Sequence, residues 1–340
     1  MPELPAGCPP VARAGQGGRR REPSLAARSR KRWLFTGLTT ALILLVLALI
    51  VRQARLVDWG EVLVALGATR ARDLAAALGL TAVSFLVYSC YDLVGRASTG
   101  HRLPARQVMN VAFISYAFNL NFGSLIGGFA FRFRLYSRHG LPKGVIAHVL
   151  ALSLVTNWLG YLLLAGCVFA LKLVNVPPQW MVGDGTLQAI GIVLLLVVAA
   201  YLLACASQRW QAVRIRTLVV PVPRLRTALL QLAMSMTNWM LMGGVAWCLL
   251  GGEVAYASVF SVLLVGAVAG VITHVPANLG VLETVFVTLL AGAAPEGRLL
   301  AAVLAYRACY YLVPLAVAAL SYLATEARVK RMRRAGPGQP

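Results

Sequence analysis

The chain has 340 residues, of which 59% are hydrophobic and 13% are charged, whereas soluble globular proteins carry about 25% charged residues. Several apolar stretches reach the roughly 20 residues that cross about 30 Å of hydrocarbon. The short alternating segments of an outer-membrane barrel are missing from the sequence. The composition therefore excludes an ordinary soluble fold and predicts an all-α integral membrane protein.

The net charge of +21 would suggest a nucleic-acid partner if the basic residues formed one folded face. Instead, 25 of the 32 Lys and Arg residues fall into five clusters that separate the apolar stretches. The clusters are the N-terminal tail, Arg96–Arg106, Arg132–Lys143, Arg209–Arg226 and Arg328–Arg334. Because cytoplasmic loops of membrane proteins are rich in Lys and Arg, we expect membrane phospholipids as partners and no nucleic acid.

The N-terminal part of the chain predicts a tail, an anchor and an interfacial helix. Residues 1–32 are rich in Pro, Gly and Arg and predict a disordered, basic cytoplasmic tail. The apolar run Trp33–Val51 is too long for a signal peptide and lacks a small-residue cleavage site, which favours a retained signal-anchor helix. Between Arg52 and Asp73, both charge signs and helical apolar spacing predict an amphipathic helix on the outer interface. Its apolar positions are Leu56, Trp59, Leu63 and Leu66.

Five more apolar stretches predict spanning helices, which gives six crossings with the anchor. They are 74–95, 144–171, 186–206, 228–250 and 299–324. A polytopic transmembrane domain is thus expected over 33–324, followed by a basic cytoplasmic tail over 325–340. Both termini and the basic loops are predicted to face the cytoplasm.

Two further apolar segments fit this topology only as re-entrant helical hairpins. If Val108–Phe131 crossed once, the clusters that follow it at 132–143 and 207–226 would both lie outside. A hairpin that turns within Asn119–Gly128 removes the conflict. The same reasoning predicts a second, opposed hairpin over Tyr256–Ala294, with limbs at 256–273 and 279–294. Opposed broken segments predict an inverted repeat with a binding site near the bilayer midplane.

Glu283 and Arg307 are the ionisable residues that lie deepest in apolar segments. At 1.5 Å per residue they lie roughly 16 Å and 12 Å below the outer face, close enough for their side chains to meet. One interpretation is a buried ion pair that holds the second hairpin to the last helix. The other is direct contact with a substrate or a proton, and both roles are compatible.

The first hairpin tip also contains polar and small residues. Asn119 and Asn121 could line a cavity, whereas Gly127 and Gly128 either join that lining or only allow close helix packing. Arg132, immediately after the hairpin, can hold a lipid phosphate through bidentate hydrogen bonds or can simply set the topology.

Three other positions have both a functional and a structural interpretation. Tyr310 lies on the helical face of Arg307 and could orient the guanidinium group, contact a headgroup or only pack. His274 could titrate near neutral pH or serve as a hydrogen-bonded structural residue. Asp92 and Arg96 lie one turn apart, which predicts an i,i+4 ion pair.

No catalytic or metal-binding constellation is found in the sequence. The six cysteines show no C-x-x-C spacing, and the four histidines have no ligand spacing. No H-E-x-x-H, G-x-S-x-G or Walker loop occurs. We therefore expect no cofactor, no metal and no enzyme activity.

Four segments together resemble a known family. They are NLNFGSLIGGFAFRFRLYSRHGL at 119–141, TNWLGYLLLAG at 156–166, HVPANLGVLETVF at 274–286 and YRACYYLVP at 306–314. The set resembles the transmembrane-domain superfamily of lysylphosphatidylglycerol synthases, especially its YbhN-like stand-alone members. The resemblance extends from Trp33 to Leu323. It implies a bacterial inner-membrane protein built like a flippase domain, which in the fused enzymes moves an aminoacylated phospholipid between leaflets.

The resemblance also implies that individual residues of this chain match the family's motifs. These are Gly127, Arg132, Pro276, Gly280, Glu283, Arg307, Tyr310 and Pro314. Many relatives have a proline in the first tip and Pro-Gly-Gly in the second, where this chain has Phe122-Gly123 and Pro276-Ala277-Asn278. The substrate is therefore left open. Only 16 residues follow Ala324, so the fused synthases' soluble transferase is not expected here.

The sequence thus favours a membrane lipid translocator or lipid-handling transporter without aminoacyl-transferase activity. The alternatives are a secondary transporter of a small amphiphilic or anionic solute, and a structural partner of lipid-synthesis enzymes. The predicted substrate-binding residues are Asn119, Asn121, Gly127, Gly128, Arg132, Pro276, Asn278, Gly280, Glu283, Arg307 and Tyr310.

Overall fold

The computed structural model describes residues 58–174, 183–207, 212–215, 218–273 and 278–334, with three isolated positions before residue 58. The continuous segments all belong to one compact unit, Val57–Pro340. The predicted N-terminal tail lies outside the described residues, and so does nearly all of the predicted signal anchor.

The described segments are helical except for one short β-ribbon. The α-helices are α1 (Trp59–Ala68), α2 (Ala71–Ser89), α3 (Tyr91–Thr99), α4 (Ala105–Phe122), α5 (Arg132–Arg138), α6 (Lys143–Ala170), α7 (Asp184–Ser207), α8 (Leu225–Leu249), α9 (Tyr256–Thr273), α10 (Val281–Leu289), α11 (Glu296–Tyr306) and α12 (Val313–Arg334). Two segments are π-helical, Ser124–Phe131 and Arg307–Leu312. Strands β1 (Ala212–Ile215) and β2 (Leu218–Pro221) pair antiparallel.

Six helical stretches in the described segments are long and apolar enough to cross a membrane. They are Ala71–Thr99, Lys143–Ala170, Gly185–Ser207, Leu225–Leu249, Tyr256–Thr273 and Glu296–Ala327. Five of them coincide with predicted spanning helices. The remaining one, Tyr256–Thr273, was predicted as a hairpin limb. The last stretch continues as helix α12 to Arg334, so the predicted C-terminal tail begins as helix.

The predicted interfacial helix ends at Ala68, before the expected Asp73, and contacts the protein through residues outside the predicted apolar stripe. Helix α1 begins after Asp58, whose carboxylate accepts hydrogen bonds from the backbone N–H groups of the first turn. It packs against α11 through the buried Val62 and Ala65. Leu63, a member of the predicted apolar stripe, is 66% exposed. Leu63 and the 48% exposed Trp59 therefore point away from the protein.

Helix α8 packs against both α2 and α6. At the contact of α6 with α8, a Cβ atom on Gly160 would collide with Ser235 and with the backbone of Met236. Only glycine allows this close approach. Helix α7 packs against α6 and α8 but leaves Leu196 62% and Leu203 69% exposed, as expected of a helix that faces lipid.

Both segments that were predicted as hairpins are broken where the sequence places Gly and Asn. Helix α4 ends at Gly123, whose φ of 82° favours glycine, and the π-helical Ser124–Phe131 packs back along α4. Helix α10 likewise packs against α9. It begins after Asn278 and Gly280, with φ of 52° and 76°. Asn is, after Gly, among the residues that tolerate this conformation best.

Candidate functional site

The segment Arg307–Leu312 is π-helical for an identifiable reason. Pro314 has no backbone N–H to donate to the Tyr310 carbonyl, and its ring would clash with that carbonyl in a regular α-helix. The turn before Pro314 is widened accordingly, and π-bulges of this kind are frequent at functional sites. The widened turn carries Arg307, Tyr310 and Tyr311 on one short stretch.

Arg307 binds the second broken segment at two points. Its guanidinium forms a bidentate ion pair with Glu283, in which Nη2 lies 2.8 Å from Oε2 and Nε bonds to Oε1. The same Nη2 donates to the backbone carbonyl of Asn278 at 2.6 Å. The Arg307 and Glu283 side chains are 8% and 18% exposed. The two charged residues that were predicted to lie deepest in apolar segments therefore form an ion pair.

The other side of this turn contacts the first broken segment. The Asn121 side chain donates to the backbone carbonyl of Tyr311 at 3.2 Å and to that of Ala117 at 2.9 Å. The ring of Tyr311 lies 6.0 Å from the Arg307 guanidinium carbon. The segment Arg307–Leu312 thus connects the two broken segments, which the sequence had placed at one site.

A buried hydroxyl and amide cluster also holds this turn. The Tyr310 hydroxyl lies 2.7 Å from Ser84 Oγ and 3.1 Å from the Tyr116 hydroxyl. Ser84 donates to Asn238 Oδ1 at 2.7 Å. All four residues are buried and come from α2, α4, α8 and the π-helical turn. Of these four residues, only Tyr310 was predicted from the sequence, because no local pattern connects residues so far apart in the chain.

A second buried ion pair lies outside the Arg307 turn. Asp92 is fully buried and pairs with Arg132 at 3.2 Å. Its carboxylate also accepts hydrogen bonds from Tyr136, at 2.7 Å, and from Ser153. The predicted i,i+4 pair of Asp92 with Arg96 is wrong. Arg96 instead donates to the backbone carbonyl of Leu103 at 2.8 Å, because the tertiary fold brings a better-buried partner to Asp92.

A third pair joins helix α5 to helix α12. Both terminal guanidinium nitrogens of Arg138, Nη1 and Nη2, donate to the carboxylate of Glu326, and the Glu326 side chain is 5% exposed. Next to this pair in sequence, burial and the neighbouring Arg138 lower the pKa of His139. Both effects favour the neutral form of the His139 imidazole.

The remaining predicted site residues divide between packing positions and residues outside the described segments. Gly127 is buried, and a Cβ atom there would collide with the backbone of Asn119, as close packing requires. The Asn278 side chain lies against Gly270 of helix α9. His274 and Pro276 lie outside the described residues. Gly128 faces the Asn119 side chain, and Gly280 provides the positive φ before α10.

These observations define a polytopic helical membrane protein that pairs charged residues inside its bundle and carries two broken helical segments. Residues 34–318 match the family described as lysylphosphatidylglycerol synthase TM region, and the chain belongs to this family.

Three relatives show how widely this region is distributed. The chain is 44% identical to inner membrane protein YbhN of Escherichia coli, over 90% of this chain and 98% of the relative. It is 30% identical to the uncharacterized protein slr0712 of Synechocystis, over 81% and 86% of the two chains. It is 23% identical to a phosphatidylglycerol lysyltransferase of Staphylococcus haemolyticus, over 69% of this chain but 27% of that longer protein.

Proposed function

We propose that this protein is a membrane lipid translocator of the bacterial inner membrane that moves a phospholipid headgroup between leaflets without aminoacyl-transferase activity. The observation that carries the proposal is the Arg307 turn. There, one guanidinium group bonds to Glu283 and to the open backbone of a broken segment. The inner-membrane location agrees with the relative in Escherichia coli, and the lipid substrate class with the lysyltransferase relative.

The chemistry of a crossing headgroup explains why this arrangement suits lipid transport. A phosphate that leaves water must exchange its hydration for protein donors, because an unpaired charge in hydrocarbon is very costly. Arg307 offers bidentate donors for a phosphate, and Glu283 keeps the guanidinium paired when no phosphate is present. Acyl chains can stay in lipid, so the path needs few buried polar residues.

Unpaired polar groups around the turn support a polar ligand there. The Asn121 side-chain oxygen and the Tyr306 hydroxyl are buried, and neither has a hydrogen-bond partner among the described residues. Buried polar groups are almost always paired in proteins. These two groups, together with Arg307, provide both donors and acceptors for a headgroup.

The proposal includes the topology predicted above, with two re-entrant hairpins whose tips approach from opposite faces and both termini in the cytoplasm. Single cysteines at His101, His139 and Arg214 in a Cys-free background should resist an impermeant thiol reagent added outside, whereas a cysteine at Glu296 should react. External labelling at position 139 would instead show that residues 108–131 cross the membrane completely.

A dithionite assay tests the transport activity. The purified protein is reconstituted in phosphatidylglycerol and phosphatidylcholine liposomes that contain a fluorescent headgroup-labelled lipid, with and without a proton gradient. We expect faster loss of inner-leaflet fluorescence than in protein-free liposomes. Arg307→Ala should abolish the increase. The gradient shows whether transport is passive or coupled to protons, for which Glu283 and His274 are the candidate carriers.

Arg298→Ala is the matched control, since Arg298 lies on α11, the helix that leads into the Arg307 turn, but forms an exposed ion pair with Glu253 at 2.5 Å. This variant should flip lipid at the wild-type rate. If the wild type flips no lipid in either condition but takes up a small anionic solute, the protein is a secondary solute transporter. Equal loss in both variants would indicate that Arg307 has no specific role.

A further inference from the structure

The first broken segment holds the π-helical turn at Tyr310 and Tyr311, three and four residues after Arg307. Tyr116 and Asn121 both belong to α4, the first limb of the first broken segment. Tyr116 bonds to the hydroxyl of Tyr310 and Asn121 bonds to the carbonyl of Tyr311. One limb therefore holds two consecutive residues of the turn, one through its side chain and one through its backbone.

The opposite end of the same turn holds the other broken segment. Arg307 precedes Tyr310 by three residues and bonds to Glu283 and to Asn278. A turn of six residues is too short for its two ends to shift independently. Any displacement of α4 that moves Tyr310 and Tyr311 must also move the guanidinium group or strain the turn.

The rings around the turn leave little room for compensation. Tyr310 packs between Tyr306, with ring centroids 5.4 Å apart, and Phe85, also at 5.4 Å. Because the protein interior is close-packed, such contacts switch between discrete arrangements instead of deforming smoothly. The hydroxyl of Tyr310 therefore selects one arrangement of the whole turn.

We propose that Tyr116, Asn121 and Tyr310 are positioning residues that aim Arg307 at Glu283, so that the first broken segment controls the ion pair formed by the second. The part of this inference that concerns transport rests on the proposed function, whereas the unfolding test below does not. During transport, movement of the first hairpin opens the Arg307–Glu283 pair and frees the guanidinium group to bind a lipid headgroup.

A double-mutant cycle tests the coupling with thermal unfolding of the full chain in lipid nanodiscs. Tyr310→Phe removes only the hydroxyl and keeps the ring, and Glu283→Gln removes the charge but keeps the shape. Residues without shared partners give additive effects. The unfolding midpoint of the double variant should fall less than the sum of the two single-variant shifts, and we expect this difference to be about 2 °C or more. Tyr116→Phe provides a second, independent cycle with Glu283→Gln.

Gln231 provides the matched control, because it is fully buried and donates to Thr156 Oγ1 at 2.7 Å but does not touch the turn. Gln231→Met combined with Glu283→Gln should be additive. Strict additivity of both tyrosine cycles would overturn the proposal, as would coupling of equal size in the Gln231 cycle.

The liposome assay separates this inference from the proposed function. If the wild type flips lipid, Tyr310→Phe and Asn121→Leu should slow flipping roughly threefold to tenfold, the size expected for long-range coupling, and additive cycles in that protein would overturn the positioning role alone. If the wild type flips nothing while the cycles show coupling, transport is wrong and the positioning role stands.

Discussion

The two innermost ion pairs of this protein differ in how completely the fold encloses them. Asp92 has no exposed surface, and its carboxylate is bonded by Arg132, Tyr136 and Ser153, all from helical segments. The Glu283 side chain is 18% exposed and faces a guanidinium on a π-helical turn. The first pair is enclosed by regular structure, whereas the second is built on broken structure.

This difference suggests different roles for two chemically similar pairs. A carboxylate with three partners gains nothing from opening, because each partner would lose a bond in a low-dielectric interior. Arg307 also donates to the backbone carbonyl of Asn278, so its guanidinium has a partner besides Glu283. Enclosure therefore favours a structural clamp at Asp92, and the broken backbone at Arg307 supports the site proposed there.

The largest effect is expected at the enclosed pair. Asp92→Ala strands the Arg132 charge and removes the carboxylate that accepts from Tyr136 and Ser153, so the free energy of unfolding should fall by about 5 kcal/mol, the upper end for a broken buried pair. Thermal unfolding in nanodiscs measures the loss. Replacing both partners, as in Asp92→Leu with Arg132→Met, should restore most of it. A double variant as unstable as the single one would mean that Asp92 matters for more than its charge.

A smaller loss of stability is expected at the partly exposed pair, about 3 kcal/mol for Glu283→Ala or Arg307→Ala, because water can reach the stranded group. The double variant should lose less than the sum of the single losses. Recovery of stability without recovery of lipid flipping would show that the pair does more than hold the hairpin to the helix. Additive losses in the unfolding assay would contradict the observed contact.

The smallest effect is expected at the surface pair of Arg298 with Glu253, whose side chains are 42% and 54% exposed. Solvent screens such pairs, so Arg298→Ala should change the free energy of unfolding by no more than about 0.5 kcal/mol. The same nanodisc unfolding assay applies. A loss as large as that of Arg307→Ala would show that the burial of an ion pair does not determine how much it contributes to stability.

The sequence predicted the Glu283–Arg307 contact because both residues stand out as charges in long apolar segments. It also located both helix breaks, within 119–128 and between 273 and 279, because the positions of the basic clusters did not allow either segment to be one uninterrupted crossing. The partner of Asp92 was wrong, because Arg96 lies one turn away in sequence whereas Arg132 approaches only in the folded bundle. Ser84, Tyr116 and Asn238 could not be found, since buried polar residues in separate helices carry no local pattern.

The close packing at Gly127 limits the route that a lipid can take. A single added carbon there would already collide with the backbone of Asn119 on the facing limb. The two limbs therefore form a closed seam at this level, too narrow for a hydrocarbon chain to thread between them. In the lipid transport proposed above, the acyl chains therefore cannot pass between these two limbs at Gly127, and only a headgroup would turn toward the protein there.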